Sequence, residues 1–158
     1  MPDMRLYKSK NTKLEVDFRK LIFAKGFRYK LHDKKLPGKP DLVFPRFKAV
    51  IFIHGCFWHN HKGCKIASIP KSQPEFWIDK FHRNKENHHK SCLKLKNDGW
   101  RVLTVWECAI KLSKEFTIDE LLDYIKCWLI SGAASCEISG TAPLPILNLG
   151  LNQNVKSK

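Results

Sequence analysis

Between residues 40 and 64 the chain gathers a carboxylate, three imidazoles and two thiols: Asp41, His54, His59, His61, Cys56 and Cys64. Cys56, His61 and Cys64 offer three soft ligands in close succession, and zinc takes four such ligands in a tetrahedron. Cys108 is the best fourth, because it follows a strand expected in the same sheet. A Cys3His set leaves no open position, so its expected role is structural: it would pin a loop with little apolar content of its own. The plain alternative is buried free cysteines beside surface histidines. Cys92, Cys127 and Cys136 stand on helical or irregular stretches and read as ordinary thiols.

Once His61 is given to zinc, His54 and His59 remain with Asp41. A carboxylate is a hard oxygen ligand suited to Mg²⁺, which can polarise phosphorus and activate water. A nearby imidazole can move a proton to or from the reacting oxygens. Glu15 either shares this site or serves as the capping-box acid of its own helix. Asp41 could instead be a turn residue after Pro40, and His54 a core histidine. Phe57 and Trp58 lie inside the ligand cluster, where a zinc loop would hold their bare rings rigidly. Such rings stack on bases for roughly 1–3 kcal/mol each, and wedging is cheapest where a mismatch has already weakened the stack. Their alternative is to cover the zinc. Trp77, on an inward helix face, fits either role.

The whole composition agrees with a polyanionic partner. Among 158 residues, 29 Lys+Arg against 15 Asp+Glu leave a formal charge of +14. That is the electrostatic footprint of a nucleic-acid binder. No long basic amphipathic helix points to a membrane surface, and no apolar run approaches the roughly 18 residues of a span. Met1–Arg5 has no apolar secretory segment, so a cytoplasmic location is expected. There, six cysteines favour metal or reduced thiols over disulfides.

The elements that must position these side chains follow from periodicity. Residues 1–11 read as a basic arm. Thr12 to Glu15 fits a capping box, followed by a helix with Leu14, Phe18, Leu21, Ile22 and Ala24 inward and Gly26 as its stop. Phe27 to Leu31 reads as a strand and His32 to Lys39 as a basic loop. Leu42 to Phe44 and Ala49 to Ile53 read as neighbouring strands, with Val50, Phe52 and His54 on one face. Ser72 to Glu75 resembles a second capping box, opening a helix to Asn97 with Trp77, Phe81, His88, Cys92 and Leu95 inward. Arg101 to Trp106 reads as a buried strand, and Thr117 to Glu120 caps a last helix that stops at Gly132. This order predicts an α/β sandwich with a mixed sheet. One domain over 1–138 and a loosely packed tail over 139–158 are expected.

Four runs carry a resemblance: Leu36-Pro-Gly-Lys-Pro-Asp41, Val50-Ile-Phe-Ile-His-Gly-Cys-Phe-Trp-His59, Glu75-Phe-Trp-Ile78 and Gly99-Trp-Arg-Val-Leu-Thr-Val-Trp-Glu-Cys108. Together they closely resemble the very short patch repair mismatch endonucleases, over about residues 3–132. The resemblance implies a restriction-endonuclease-like three-layer sandwich, a central mixed β-sheet flanked by helices, with a structural zinc site. It implies a Mg²⁺-dependent enzyme that nicks DNA 5′ to the thymine of a T·G mismatch left by 5-methylcytosine deamination. By position, Asp41 and the backbone carbonyl of Ile53 match the Mg²⁺ ligands, His54 and His59 the catalytic histidines, and Glu15 the helix-borne acid. Cys56, His61, Cys64 and Cys108 match the Zn²⁺ ligands. Phe57, Trp58 and Trp77 match the rings that enter the mismatch from the major groove, and Met4 a side chain from the minor groove. Arg5 and Lys39 are further expected DNA contacts. A monomer is expected, associated with the nucleoid through DNA and meeting other mismatch-repair proteins. A restriction-type nuclease without mismatch preference and a non-catalytic zinc-stabilised DNA-binding module are the rival readings. The chain departs from the family in a shorter arm, in one residue inserted before Cys64, and in His88 where an acidic partner is expected.

Overall fold

Strand Ala49–His54 runs through the middle of the molecule because almost every side chain on it is apolar and both its faces are covered. A computed structural model of the chain describes residues 12–149. In chain order the elements are α1 (Lys13–Ala24), β1 (Lys30–Leu31), β2 (Leu42–Phe44), a 3₁₀ turn (Pro45–Phe47), β3 (Ala49–His54), α2 (Pro74–Asn97), β4 (Arg101–Trp106), α3 (Glu107–Lys111), α4 (Ile118–Ser131) and β5 (Cys136–Ile138). The sheet order is β1-β2-β3-β4-β5. The β1–β2 and β2–β3 pairs are antiparallel, and the β3–β4 and β4–β5 pairs are parallel.

Helices cover both faces. Phe18 and Ile22 of α1 and Leu121, Ile125, Trp128 and Leu129 of α4 pack with Leu42, Ile51 and Leu103 in the larger core. On the other face Leu95 of α2 packs with Val43, Val50, Phe52 and Val102. Full burial of each such side chain contributes about 1.5–3 kcal/mol, so the two layers hold the sheet from both sides. The result is a mixed-sheet, three-layer α/β sandwich of the restriction-endonuclease-like kind.

Arg101 ties the far end of the sheet to α4. Its guanidinium donates to the carbonyls of Trp128, Leu129 and Ala133 at 2.8–2.9 Å and stacks over the Trp128 ring at 4.4 Å. It thereby satisfies carbonyls at the helix C-terminus that have no partner within the helix.

Several local expectations are corrected. The strand expected over 27–31 is paired only at Lys30–Leu31. On α1, Leu21 is 40% exposed and Ala24 is exposed, so the buried stripe is narrower than the periodicity suggests. Thr12 does accept from the Glu15 amide, but the Glu15 carboxylate turns to Arg19 and His32 instead of completing a capping box. Ser72 does not cap α2. Gln73 is the N-cap, at φ 53°, and Pro74 starts the helix with its ring-fixed φ. Glu107 and Cys108 begin a short helix, α3, instead of simply ending a strand. Beyond Gly132 a fifth strand forms, and Leu144 and Leu147 pack against the larger core.

Candidate functional site

Strand register lines up the first cluster. Leu31 pairs with Leu42, and Leu42 pairs with Ile51. One step on, His32, Asp41 and Phe52 therefore sit side by side, just past the end of β1, just before the start of β2 and near the end of β3. The Asp41 Oδ2 accepts the Ile53 amide at 2.6 Å, and the Asp41 carbonyl accepts the His32 amide at 3.3 Å. Gly38, at φ 74°, lets the preceding loop lie on α2. A Cβ there would stand 2.8 Å from the Ser91 Cβ and 3.2 Å from the Phe52 ring.

Glu15, buried in the first turn of α1, meets this row from above. Its Oε2 lies 3.0 Å from His32 Nε2 and 3.2 Å from Arg19 Nη1. His32 Nε2 is also 3.7 Å from Asp41 Oδ1. Donor atoms of Glu15, His32 and Asp41 all fall within 4.8 Å of one another, so the trio could hold a cation. Burial, and then the neighbouring Glu15 carboxyl, raise the Asp41 pKa to about 8, while the Ile53 amide pulls it down. A bound dication would remove that conflict, which is the physical sense in which the residues fit one.

The second cluster is imidazole. His54 ends β3, and the His59 ring stacks on it at 3.7 Å with the planes 1° apart. His88, from α2, meets His54 edge-on at 4.0 Å. Burial lowers the pKa of all three, with neighbouring positive charges adding to it: His54 well below its ordinary value, His59 and His88 to about 4. Each ring is therefore neutral at pH 7, and His88 Nε2 lies 3.4 Å from Thr104 Oγ1 and 3.3 Å from Cys92 Sγ. His54 Nδ1 is buried with no hydrogen-bond partner among the described residues. These rings line a cavity of about 410 Å³ with Lys85, Lys96 and Thr104.

The third cluster is the thiol group. Cys56, His61, Cys64 and Cys108 bring their ligand atoms within 4.8 Å of one another. His61 Nδ1 is 3.6 Å from Cys56 Sγ and 3.5 Å from Cys108 Sγ. Zinc–sulfur and zinc–nitrogen bonds of ~2.3 and ~2.0 Å in a tetrahedron set ligand separations of about 3.5–3.8 Å. The four side chains thus fit a zinc ion. Backbone amides complete the surroundings: Cys108 N–H donates to Cys56 Sγ at 3.4 Å and Gly140 N–H to Cys108 Sγ at 3.3 Å. The His61 ring lies flat on Trp106 at 3.9 Å.

The aromatic residues are less bare than expected. Phe57 and Trp58 are half-buried, because they pack against Trp77 of α2 at 5.2 and 5.8 Å. Trp77 itself is buried. Asn84 donates to the Trp58 carbonyl at 2.8 Å and fastens this loop to α2. Lys39 is exposed, at φ 49° beside the Asp41 strand. Met4 and Arg5 lie outside the described residues. His32 was missed by sequence reasoning. Only the register of β1 against β2 reveals it, and that two-residue strand carries no readable pattern.

No helix among the described residues is long and apolar enough to cross a membrane. Comparison with known proteins adds to this geometry. The sequence profile described as "DNA mismatch endonuclease Vsr" matches residues 2–65. The chain is similar to DNA mismatch endonuclease Vsr of Escherichia coli, at 35% identity over 136 residues, 86% of each chain. It is 44% identical to type II nicking enzyme V.XorIIP of Xanthomonas oryzae pv. oryzae over 107 residues, 68% of this chain and 78% of the relative. It is 48% identical to type II nicking enzyme V.NmeAIP of Neisseria meningitidis over 103 residues, 65% and 73% of the two.

Proposed function

This chain belongs to the DNA mismatch endonuclease Vsr family, and from that premise we propose that it nicks one DNA strand 5′ to the thymine of a T·G mismatch. It is a DNA endonuclease; the mismatch, the cations and the residue roles are the proposal. The observation that carries it is the row of Asp41, Glu15 and the imidazole stack at one end of the sheet, beside aromatic rings on a loop built around four zinc-type ligands.

Asp41, with Glu15 beside it and the carbonyl of Ile53, the residue whose amide it accepts, would hold Mg²⁺. Bound there, the cation supplies Lewis-acid assistance to the scissile phosphate and helps ionise water. The chain does the rest. His59 or His54, neutral through burial, takes the proton of the attacking water. The water oxygen forms a bond to phosphorus, one P–O ester bond breaks, and the leaving oxygen takes up a proton. Stacking holds the two rings parallel, one over the other, which keeps the accepting nitrogen aimed.

Cys56, His61, Cys64 and Cys108 would hold Zn²⁺ with no open position, a structural role. Their task is to brace Phe57 and Trp58, which present their half-exposed rings to the mispaired step with the buried Trp77 behind them. A T·G step is already weakened, so the few kcal/mol of unstacking are lower there than in matched duplex.

The test is a nicking assay on duplexes that differ only in a T·G or T·A pair, with Mg²⁺ or with chelator. Metal-dependent nicking of the T·G duplex is expected. Equal cutting of both duplexes would replace this reading with a restriction-type nuclease. Salt-sensitive binding without cleavage would replace it with a DNA-binding module.

A further inference from the structure

His32 stands between the two carboxylates assigned to the cation, and its ring nitrogen faces both. Nε2 is 3.0 Å from Glu15 Oε2 and 3.7 Å from Asp41 Oδ1, and the side chain is only 15% exposed. Its backbone sits at φ 45°, in the left-handed region that a non-glycine residue enters at a cost. Such strain persists where the surroundings dictate it. Here the His32 amide is tied to the Asp41 carbonyl at the end of the β1–β2 ladder.

The spacing suits coordination. An octahedral cation with ligands at about 2.1 Å holds adjacent donor atoms about 3 Å apart. The three donors, all within 4.8 Å, can occupy neighbouring positions of one such polyhedron. A counter-ion role would duplicate one already filled, since Arg19 reaches the same Glu15 oxygen at 3.2 Å. Arg19 also cancels part of the local negative charge, so cation affinity cannot rest on the carboxylates' charge alone. A nitrogen donor matters more in that setting.

We propose that His32 is a third side-chain ligand beside Glu15 and Asp41, and that this mixed nitrogen–oxygen set selects a first-row transition dication such as Mn²⁺ over Mg²⁺. Mg²⁺ is hard and takes oxygen ligands, whereas imidazole bonds the transition dications more strongly. The inference rests on the reading that Asp41 carries the cation, and the test separates the two.

The experiment is a Mn²⁺ titration of the zinc-loaded full chain, read by electron paramagnetic resonance, with Mg²⁺ as competitor. Mn²⁺ is a poor rival for a site rich in thiolates. Wild type, His32→Gln and Asp41→Asn are compared, with zinc content as the check on folding. The expected result is Mn²⁺ binding at least tenfold tighter than Mg²⁺, with a directly bonded ¹⁴N coupling in the pulsed spectrum. His32→Gln should lose the coupling and most of the discrimination while still binding Mn²⁺. A coupling or discrimination unchanged in His32→Gln, with binding abolished in Asp41→Asn, overturns the His32 assignment and leaves Asp41 in place. Full Mn²⁺ binding by Asp41→Asn overturns both.

Discussion

Burial keeps the three central histidines neutral at pH 7, and this makes their titration predictable. An unfolded histidine protonates near 6.5, whereas His59 and His88 are held to about 4. Between those values the unfolded chain binds more protons, so the contribution of these rings to stability is complete above 6.5 and is lost as the pH falls to about 4. The slope is up to about 1.4 kcal/mol per pH unit for each ring. In the metal-free protein, NMR titration of the imidazole C–H signals should show both rings neutral at pH 5.5. A midpoint near 6.5 for either would show that its ring is solvated and remove the buried-base argument. The identity of these side chains was legible in the sequence: Asp41 opens one apolar run, His54 closes the next and His59 follows it, and the four sulfur and nitrogen ligands have a workable spacing. Their mutual geometry was only partly legible. His88 reads as standing where an acidic partner of a catalytic histidine is expected, and its ring lies against His54 at 4.0 Å, a contact that helical periodicity alone does not give. His32 reads as a loop residue, because the pairing that carries it is two residues long.

At the level of elements, the order of helices and strands was readable, since apolar periodicity dominates α1, α2, α4 and the three longer strands. The failures fall where tertiary contact overrides local pattern. Cys136–Ile138 is a strand because β4 offers it an open edge, and α3 forms beside the thiol cluster from a stretch too short to show a helical period. The segment after β5 also reaches the thiol cluster, which its composition does not announce. A Cβ on Gly140 would stand 2.3 Å from the Cys108 carbonyl oxygen. Gly140→Ala should therefore push away the amide that donates to Cys108 Sγ. The expected outcome is zinc released to a chromophoric chelator roughly 10–100-fold more readily, the usual effect of removing a partner of a metal ligand. Unchanged release would detach this segment from the zinc site. Arg101 gives a second test. Arg101→Ala leaves three carbonyls of the α4 end without their donor, and a loss of about 2–4 kcal/mol in denaturant unfolding is expected. A loss below about 1 kcal/mol would mean that water replaces the guanidinium at no cost.

For the whole molecule, charge and shape make separable contributions. A net charge of +14 favours any duplex, whereas the proposed function gives the discrimination between duplexes to the rings beside the thiol cluster. Lys62, Lys65 and Lys85 surround a basin of about 580 Å³ next to that cluster. Replacing Lys62 and Lys65 by Ala should weaken binding of matched and mismatched duplex alike and flatten the log–log salt dependence by about 2. Trp58→Ala should leave the salt slope intact and reduce the preference for T·G. Fluorescence-anisotropy titrations over a range of salt distinguish the two, and loss of preference in the lysine variant alone would reverse the assignment.

The most direct test of the central claim is the single-turnover rate of strand cleavage on one end-labelled duplex carrying a single T·G pair, for wild type against Asp41→Asn. The account predicts one break, immediately 5′ to the mispaired thymine, dependent on a divalent cation, and a fall of at least 10²-fold for Asp41→Asn with zinc content and duplex affinity retained. Cleavage by Asp41→Asn at the wild-type rate, or a break placed without regard to the mismatch, would contradict it.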